Sequence, residues 1–151
     1  MKPNQRAERA VAYFQEDYLC SQSVLMAYAP QMGIALSDAA RIAAPFGEGM
    51  SRKGWTCGAV TGAMMVIGLR FGHEVGTDLK TKERMYQKSQ AFIAKFEQRN
   101  GSVVCRELLG RDLNAPGELE IIREEGLFES HCPNFVRNAT EILEQILEIK
   151  T

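Results

Sequence analysis

The chain's 151 residues are enough to bury one hydrophobic core and are read as a single domain over 1–151. Its 18 lysines and arginines nearly cancel its 19 acids, and no basic stripe is interleaved with aromatics, so nucleic-acid binding is not expected. The longest apolar run, Cys57 to Leu69, falls short of the roughly 20 residues a membrane span takes, and residues 1–10 lack the apolar core of a signal peptide; a cytoplasmic location is expected.

Helical periodicity recurs along the chain and strand alternation does not. Ala7, Val11, Phe14 and Tyr18 mark one face of a first helix, and Ser21 to Met32 reads as a second that ends near Gly33. A short third helix starts at Ser37 and runs towards Pro45, followed by a glycine-rich loop, Phe46-Gly-Glu-Gly-Met50. Thr56 is placed to cap the next helix, the most apolar in the chain, whose exit turn begins at Gly72. A long amphipathic helix opens near Thr81, carries Met85, Phe92 and Phe96 on one side, and stops at Asn100-Gly101. Ser102 can cap a short helix through Leu109, and Pro116 with Glu118 begins another that ends at Gly126. Pro133, at a first helical position, starts a last helix with Phe135, Ala139, Ile142, Ile146 and Ile149 on a stripe. Leu143 and Leu147 widen that stripe beyond a coiled-coil seam, so it is expected to face its own core, with homodimer formation as the alternative. Together these elements predict an all-α fold, a compact helical bundle of about six to eight helices.

Gly58 and Gly62 lie four residues apart, as do Ala59 and Ala63, which leaves one side of the first two turns of the Cys57 helix nearly bare. Each glycine costs a helix roughly 1 kcal/mol relative to alanine, so something must approach that side closely. A neighbouring helix is the simpler candidate. A cofactor, or a second sulfur beside Cys57, is the other.

The four cysteines, Cys20, Cys57, Cys105 and Cys132, carry the chemistry. In a reducing compartment structural disulfides are uncommon, which gives metal or redox roles weight. None belongs to a C-x-x-C pair, so ordinary zinc-finger or ferredoxin spacing gives no support. They share a placement instead: each reads as the cap or first turn of a helix, where unpaired N–H groups and a partial positive charge stabilise a thiolate. Burial as small hydrophobes is the simpler reading for any one cysteine, and less so for all four.

Cys57-Gly-Ala-x-x-Gly62, preceded by Cys20 and by Phe46-Gly-Glu-Gly-Met50 and followed by Cys105 and Cys132-Pro133, resembles the C_GCAxxG_C_C family, defined by four cysteines and a CGAxxG motif. The resemblance runs from about Ala10 to Leu143 and implies redox activity or metal-cluster binding by Cys20, Cys57, Cys105 and Cys132. It implies no particular substrate or redox partner, and whether the chain is an oxidoreductase stays open.

Convergence of the four sulfurs on one site is the central expectation. Four thiolates suit an iron–sulfur cluster or a tetrahedral zinc, with Arg52, Lys53 and Arg106 at hand to offset their charge. If the cysteines instead form disulfides, two pairs could cycle as a dithiol–disulfide oxidoreductase without any cofactor. Gly58 and Gly62 are counted with the site because a bulky inorganic group needs room beside the helix. A cluster for electron transfer or redox sensing ranks first, the thiol enzyme second and a zinc-stabilised interaction module third. His131, beside Cys132, could replace one ligand, whereas His73 reads as a polar end cap. Asp17 and Glu16 read as a solvated helix face, and Gly47-Glu48-Gly49 as a turn. No G-x-S-x-G, H-E-x-x-H or phosphate-binding glycine loop is present.

Overall fold

A computed structural model describes residues 3–148, with side chains from residue 5. Wherever apolar residues recur at helical spacing the chain is helical, and the described residues contain no strand. Eight right-handed helices follow one another: α1 (Pro3–Gln15), α2 (Cys20–Tyr28), α3 (Leu36–Ala43), α4 (Gly58–Phe71), α5 (Leu79–Asn100), α6 (Cys105–Leu109), α7 (Glu118–Glu124) and α8 (Leu127–Ile146). Short 3-10 turns at Ala29–Met32 and Ala44–Phe46 extend α2 and α3, where Pro30 and Pro45 end the regular helix.

α2 is the hub. Eight of its nine residues are buried, and it packs against α1, α3, α4 and α8. Its closest partner is α4, and α5 lies across α4 and α8, where Phe92 and Phe96 stack at 6.0 Å and Phe96 meets Phe135 at 6.5 Å. A buried polar network ties α1, α2 and α8 together. Arg6 pairs with Glu144 at 3.1 Å, and the Tyr28 hydroxyl donates to Glu144 at 3.0 Å. Every member of such a network must be satisfied, and here Gln31 takes a further Arg6 N–H at 2.7 Å.

The stripe on the last helix faces the core of its own chain: Val136, Ala139, Ile142, Leu143, Ile146 and Leu147 are all buried. Ile149 lies outside the described residues. The start of this helix differs from the sequence reading. α8 begins at Leu127, so Pro133 sits inside it and costs one backbone hydrogen bond. Leu127 and Phe128 are partly buried against the core, and that packing outweighs the start signal that Pro133 carries.

The stretch read as a glycine-rich loop is a single left-handed turn. Glu48, Gly49, Met50, Ser51 and Arg52 all have φ between 54° and 69°. For a residue with a Cβ this handedness costs about 1–2 kcal/mol each, so the turn must be held from outside. The Trp55 N–H donates to Gly49 at 2.9 Å, Ser51 N–H to Gly47 at 2.9 Å, and the Ser51 hydroxyl to Pro45 at 2.7 Å. Arg52 reaches back to the Glu48 carboxylate at 2.8 Å. Only glycine fits at position 49, since a Cβ there would lie 2.6 Å from the Trp55 nitrogen. This turn packs on α4 and α6 and so carries Glu48 to the cysteine end of the bundle.

Candidate four-cysteine redox site

Three cysteines stand at helix starts. Cys20 is the first residue of α2, Cys57 caps α4 in place of Thr56, and Cys105 is the first residue of α6. The fourth does not. Cys132 lies in the second turn of α8, because that helix starts six residues earlier than Pro133 suggests. The shared helix-start placement therefore holds for three of the four.

Thr56 forms an isolated antiparallel bridge with Val104, which fixes the chain on both sides of the site. The Cys57 N–H donates to the Val103 carbonyl at 2.8 Å, and the Cys105 N–H donates to the Trp55 carbonyl. Side chains alternate across such a bridge, so Cys57 and Cys105 leave on the face opposite Thr56 and Val104. Leu19 begins α2 from the other side, its N–H held by the Gln22 side chain at 2.9 Å.

All four sulfurs are free thiols, and all four residues are buried, with 4–8% of their surface exposed. They line one partly open pocket of about 390 Å³, whose walls include the apolar groups Phe14, Leu108, Phe128 and Phe135. Cys132 acts most strongly on the Cys20 thiol, and Cys57 and Cys105 act on it more weakly. Among the described residues, no three histidine, cysteine, aspartate or glutamate side chains are grouped closely enough to hold a single metal ion.

The two glycines of the bare face serve helix packing. A Cβ on Gly62 would lie 2.7 Å from the Ser21 carbonyl oxygen and 3.2 Å from the Val24 Cβ, so α2 occupies that side. Gly62 does not line the cavity. Gly58 does, and a Cβ there would lie 3.1 Å from the Cys20 Cβ. The glycine face thus lets α2 come close enough to bring Cys20 beside the start of α4.

The charge around the cavity also departs from the sequence reading. Arg52, Lys53 and Arg106 do not line it, while Asp17, Glu48 and Glu129 do. Glu48 had no signal beyond its two glycine neighbours, and only the left-handed turn explains its position. His131 bonds Ser130 through Nδ1 at 2.7 Å and is not part of the lining. His73 does not line the cavity, and its Nδ1 is buried without a partner among the described residues.

Three of the thiols are held towards their neutral form. The Cys20 thiol is pushed well above its ordinary range, first by Cys132 and then by burial. Burial pushes Cys57 up to about 12, although the Ala59 and Val60 N–H groups at the start of α4 pull the other way. Cys105 is likewise raised, by burial and then by the charges of Cys57, Cys132, Glu48 and Asp112. Burial thus works against the helix starts at Cys57 and Cys105, and Cys132 works against the one at Cys20.

A family described as "Putative redox-active protein (C_GCAxxG_C_C)" matches residues 18–146, a span that contains all four cysteines and the Cys57-Gly-Ala-x-x-Gly62 motif. The chain belongs to the C_GCAxxG_C_C family. Membership carries redox activity as its description and leaves the chemistry of the C_GCAxxG_C_C centre unspecified. No curated protein and no solved structure matches the chain. Among the described residues, no helix is long and apolar enough to cross a membrane.

Proposed function

We propose that the chain is a cytoplasmic electron-transfer or redox-sensing protein whose Cys20, Cys57, Cys105 and Cys132 hold an iron–sulfur cluster. The observation that carries this reading is that cysteines from four separate helices line one pocket. The residues fit a cluster better than a single ion. Zinc–sulfur bonds of about 2.3 Å would put four sulfurs about 3.8 Å apart, and no three donors are grouped for one ion. A polynuclear cluster spreads its cysteine ligands more widely, and a cavity of about 390 Å³ leaves room between them.

When bound, a cluster supplies one-electron transfer. The chain's own residues do the rest. Phe14, Leu108, Phe128 and Phe135 limit the water around the sulfurs, while Asp17, Glu48 and Glu129 add negative charge, and both would tune the potential. Ala59 and Val60 offer N–H groups to the Cys57 sulfur, which favour its anionic form once a metal ligates it. Before loading, raised pKa values hold Cys20, Cys57 and Cys105 as neutral thiols, so the site takes up metal only by releasing protons.

Metal and acid-labile sulfide analysis, with a visible spectrum, tests this on protein purified without oxygen. A brown sample containing iron and sulfide is expected. Colourless protein with stoichiometric zinc would sink the cluster in favour of an interaction module, and metal-free protein with two reversible disulfides would favour a thiol enzyme.

A further inference from the structure

The charge lining the pocket has one sign. Asp17, Glu48 and Glu129 line it, and among the described residues no lysine, arginine or histidine does. These carboxylates differ in burial. Asp17 and Glu129 are exposed, the Glu48 side chain is 19% exposed, and the cysteines are 4–8% exposed, so the acids stand between solvent and sulfur. Neither Asp17 nor Glu129 has an ion pair among the described residues. Arg52, exposed and outside the lining, holds one oxygen of Glu48 at 2.8 Å. The remaining wall is largely aromatic, with Phe14, Tyr18, Phe128 and Phe135. Aromatic faces attract organic ammonium groups, and a pocket of about 390 Å³ falls within the range of small-molecule sites, about 300–1,000 Å³. An acidic rim alone would be a solvated surface. Here buried nucleophiles lie behind it: Cys105 lines the pocket at 8% exposure, and its sulfur has no hydrogen-bond partner among the described residues.

We propose that this pocket binds small organic ammonium compounds, and that the disulfides that reach its thiols bear amines rather than carboxylates. The proposal concerns the metal-free protein and does not rest on an iron–sulfur cluster. Asp17 and Glu129 draw an ammonium group to the mouth, the aromatic faces hold it, and Glu48 attracts it further in. A carboxylate on the same carbon frame meets three like charges and no counter-charge in the lining. The covalent step is thiol–disulfide exchange. One cysteine gives its proton to the buffer, and its sulfur attacks one sulfur of the incoming disulfide. The S–S bond of that compound breaks, and its other half leaves as a thiolate that takes up a proton. The cysteine and one half of the compound end in a mixed disulfide, the other half is reduced to a free thiol, and no further oxidant is consumed. A bound ammonium also favours the attacking thiolate, which the carboxylates by themselves oppose.

Reduced, metal-free wild-type protein is mixed at pH 7 and low salt with cystamine, with neutral bis(2-hydroxyethyl) disulfide or with anionic dithiodiglycolate. Mixed-disulfide formation is timed by intact mass spectrometry, and each rate is divided by that of 2-mercaptoethanol to remove the reagent's own reactivity. The normalised rate for cystamine is expected to exceed that for dithiodiglycolate by about tenfold or more, with the neutral disulfide between them. The preference should shrink in about 1 M salt, where the Debye length is about 3 Å. Equal normalised rates, a preference for dithiodiglycolate, or no reaction with any of the three while the unfolded protein reacts, overturns the proposal. The double variant Asp17→Asn, Glu129→Gln alters only exposed carboxylates, so it should keep the wild-type melting temperature and lose most of the preference. Glu48→Gln, on a different element, should lower the preference as well, and an unchanged preference in both proteins overturns the role of the carboxylates. Tetramethylammonium, which cannot exchange, should slow the cystamine reaction more than potassium does at the same concentration. Equal slowing by the two ions would reduce the effect to screening and overturn the ammonium site.

Discussion

Gly62→Ala puts a methyl group where α2 already lies. The new Cβ would sit 2.7 Å from the Ser21 carbonyl oxygen, 3.2 Å from the Ser21 Cα and 3.2 Å from the Val24 Cβ. Two of these atoms are backbone, so no side chain can rotate out of the way and α2 itself must retreat from α4. Overpacking of this kind costs about 1–3 kcal/mol, and the alanine returns up to about 1 kcal/mol of helix propensity. With the closest contact on backbone, a net loss of about 1–2 kcal/mol is expected. At this chain length that lowers the melting temperature by roughly 2–8 °C. Gly68→Ala is the control on the same helix, since nothing lies within 4 Å of its added Cβ. There the propensity gain stands alone, and the melting temperature should rise by roughly 2–4 °C. Thermal unfolding of the metal-free proteins by circular dichroism reads both. Shifts of the same sign in the two variants, or a Gly62→Ala protein as stable as the wild type, would refute the packing argument.

Cys57→Ser should fold without metal yet lose bound iron and sulfide, as read by elemental analysis; full occupancy would remove Cys57 from the site. Glu144→Ala takes away the carboxylate facing the buried Arg6 guanidinium and the Tyr28 hydroxyl, and should cost about 3–5 kcal/mol in urea unfolding; a loss under about 1 kcal/mol would mean that Gln31 compensates fully. The raised thiol pKa values set a pH window for the metal-free protein. Neutral thiols favour the fold, so their contribution is whole below the free-thiol value of about 8.5 and is lost as pH climbs towards the folded values. Stability should fall by up to about 1.4 kcal/mol per pH unit for each thiol above pH 8.5, with a smaller slope in Cys57→Ser; identical slopes in the two proteins would contradict the burial of that thiol. For the same reason, iodoacetamide should label the reduced, folded protein at pH 7 more slowly than a model thiol, and faster labelling would restore the helix-start effect as dominant.

Local pattern determined much of this protein. Residues such as Phe92 and Phe96 recur at helical spacing, and that alone predicts the long α5 and the all-α fold. Gly58 and Gly62 announce a close approach because a missing side chain four residues apart leaves a bare strip whatever surrounds it. The four cysteines and their motif name the family. Tertiary structure decided what those features meet. It put Ser21 of α2, rather than a cofactor, against Gly62, and it extended α8 back to Leu127, so that Cys132 lies within a helix. It wound residues 48–52 left-handed, against their local preference, and thereby brought Glu48 to the cavity. It also set burial against the helix starts at Cys57 and Cys105. A helix start acts on a sulfur through two or three neighbouring N–H groups and can be read from sequence. The desolvation that outweighs it comes from side chains such as Phe14, Leu108 and Phe128, which are distant in the chain and adjacent only after folding.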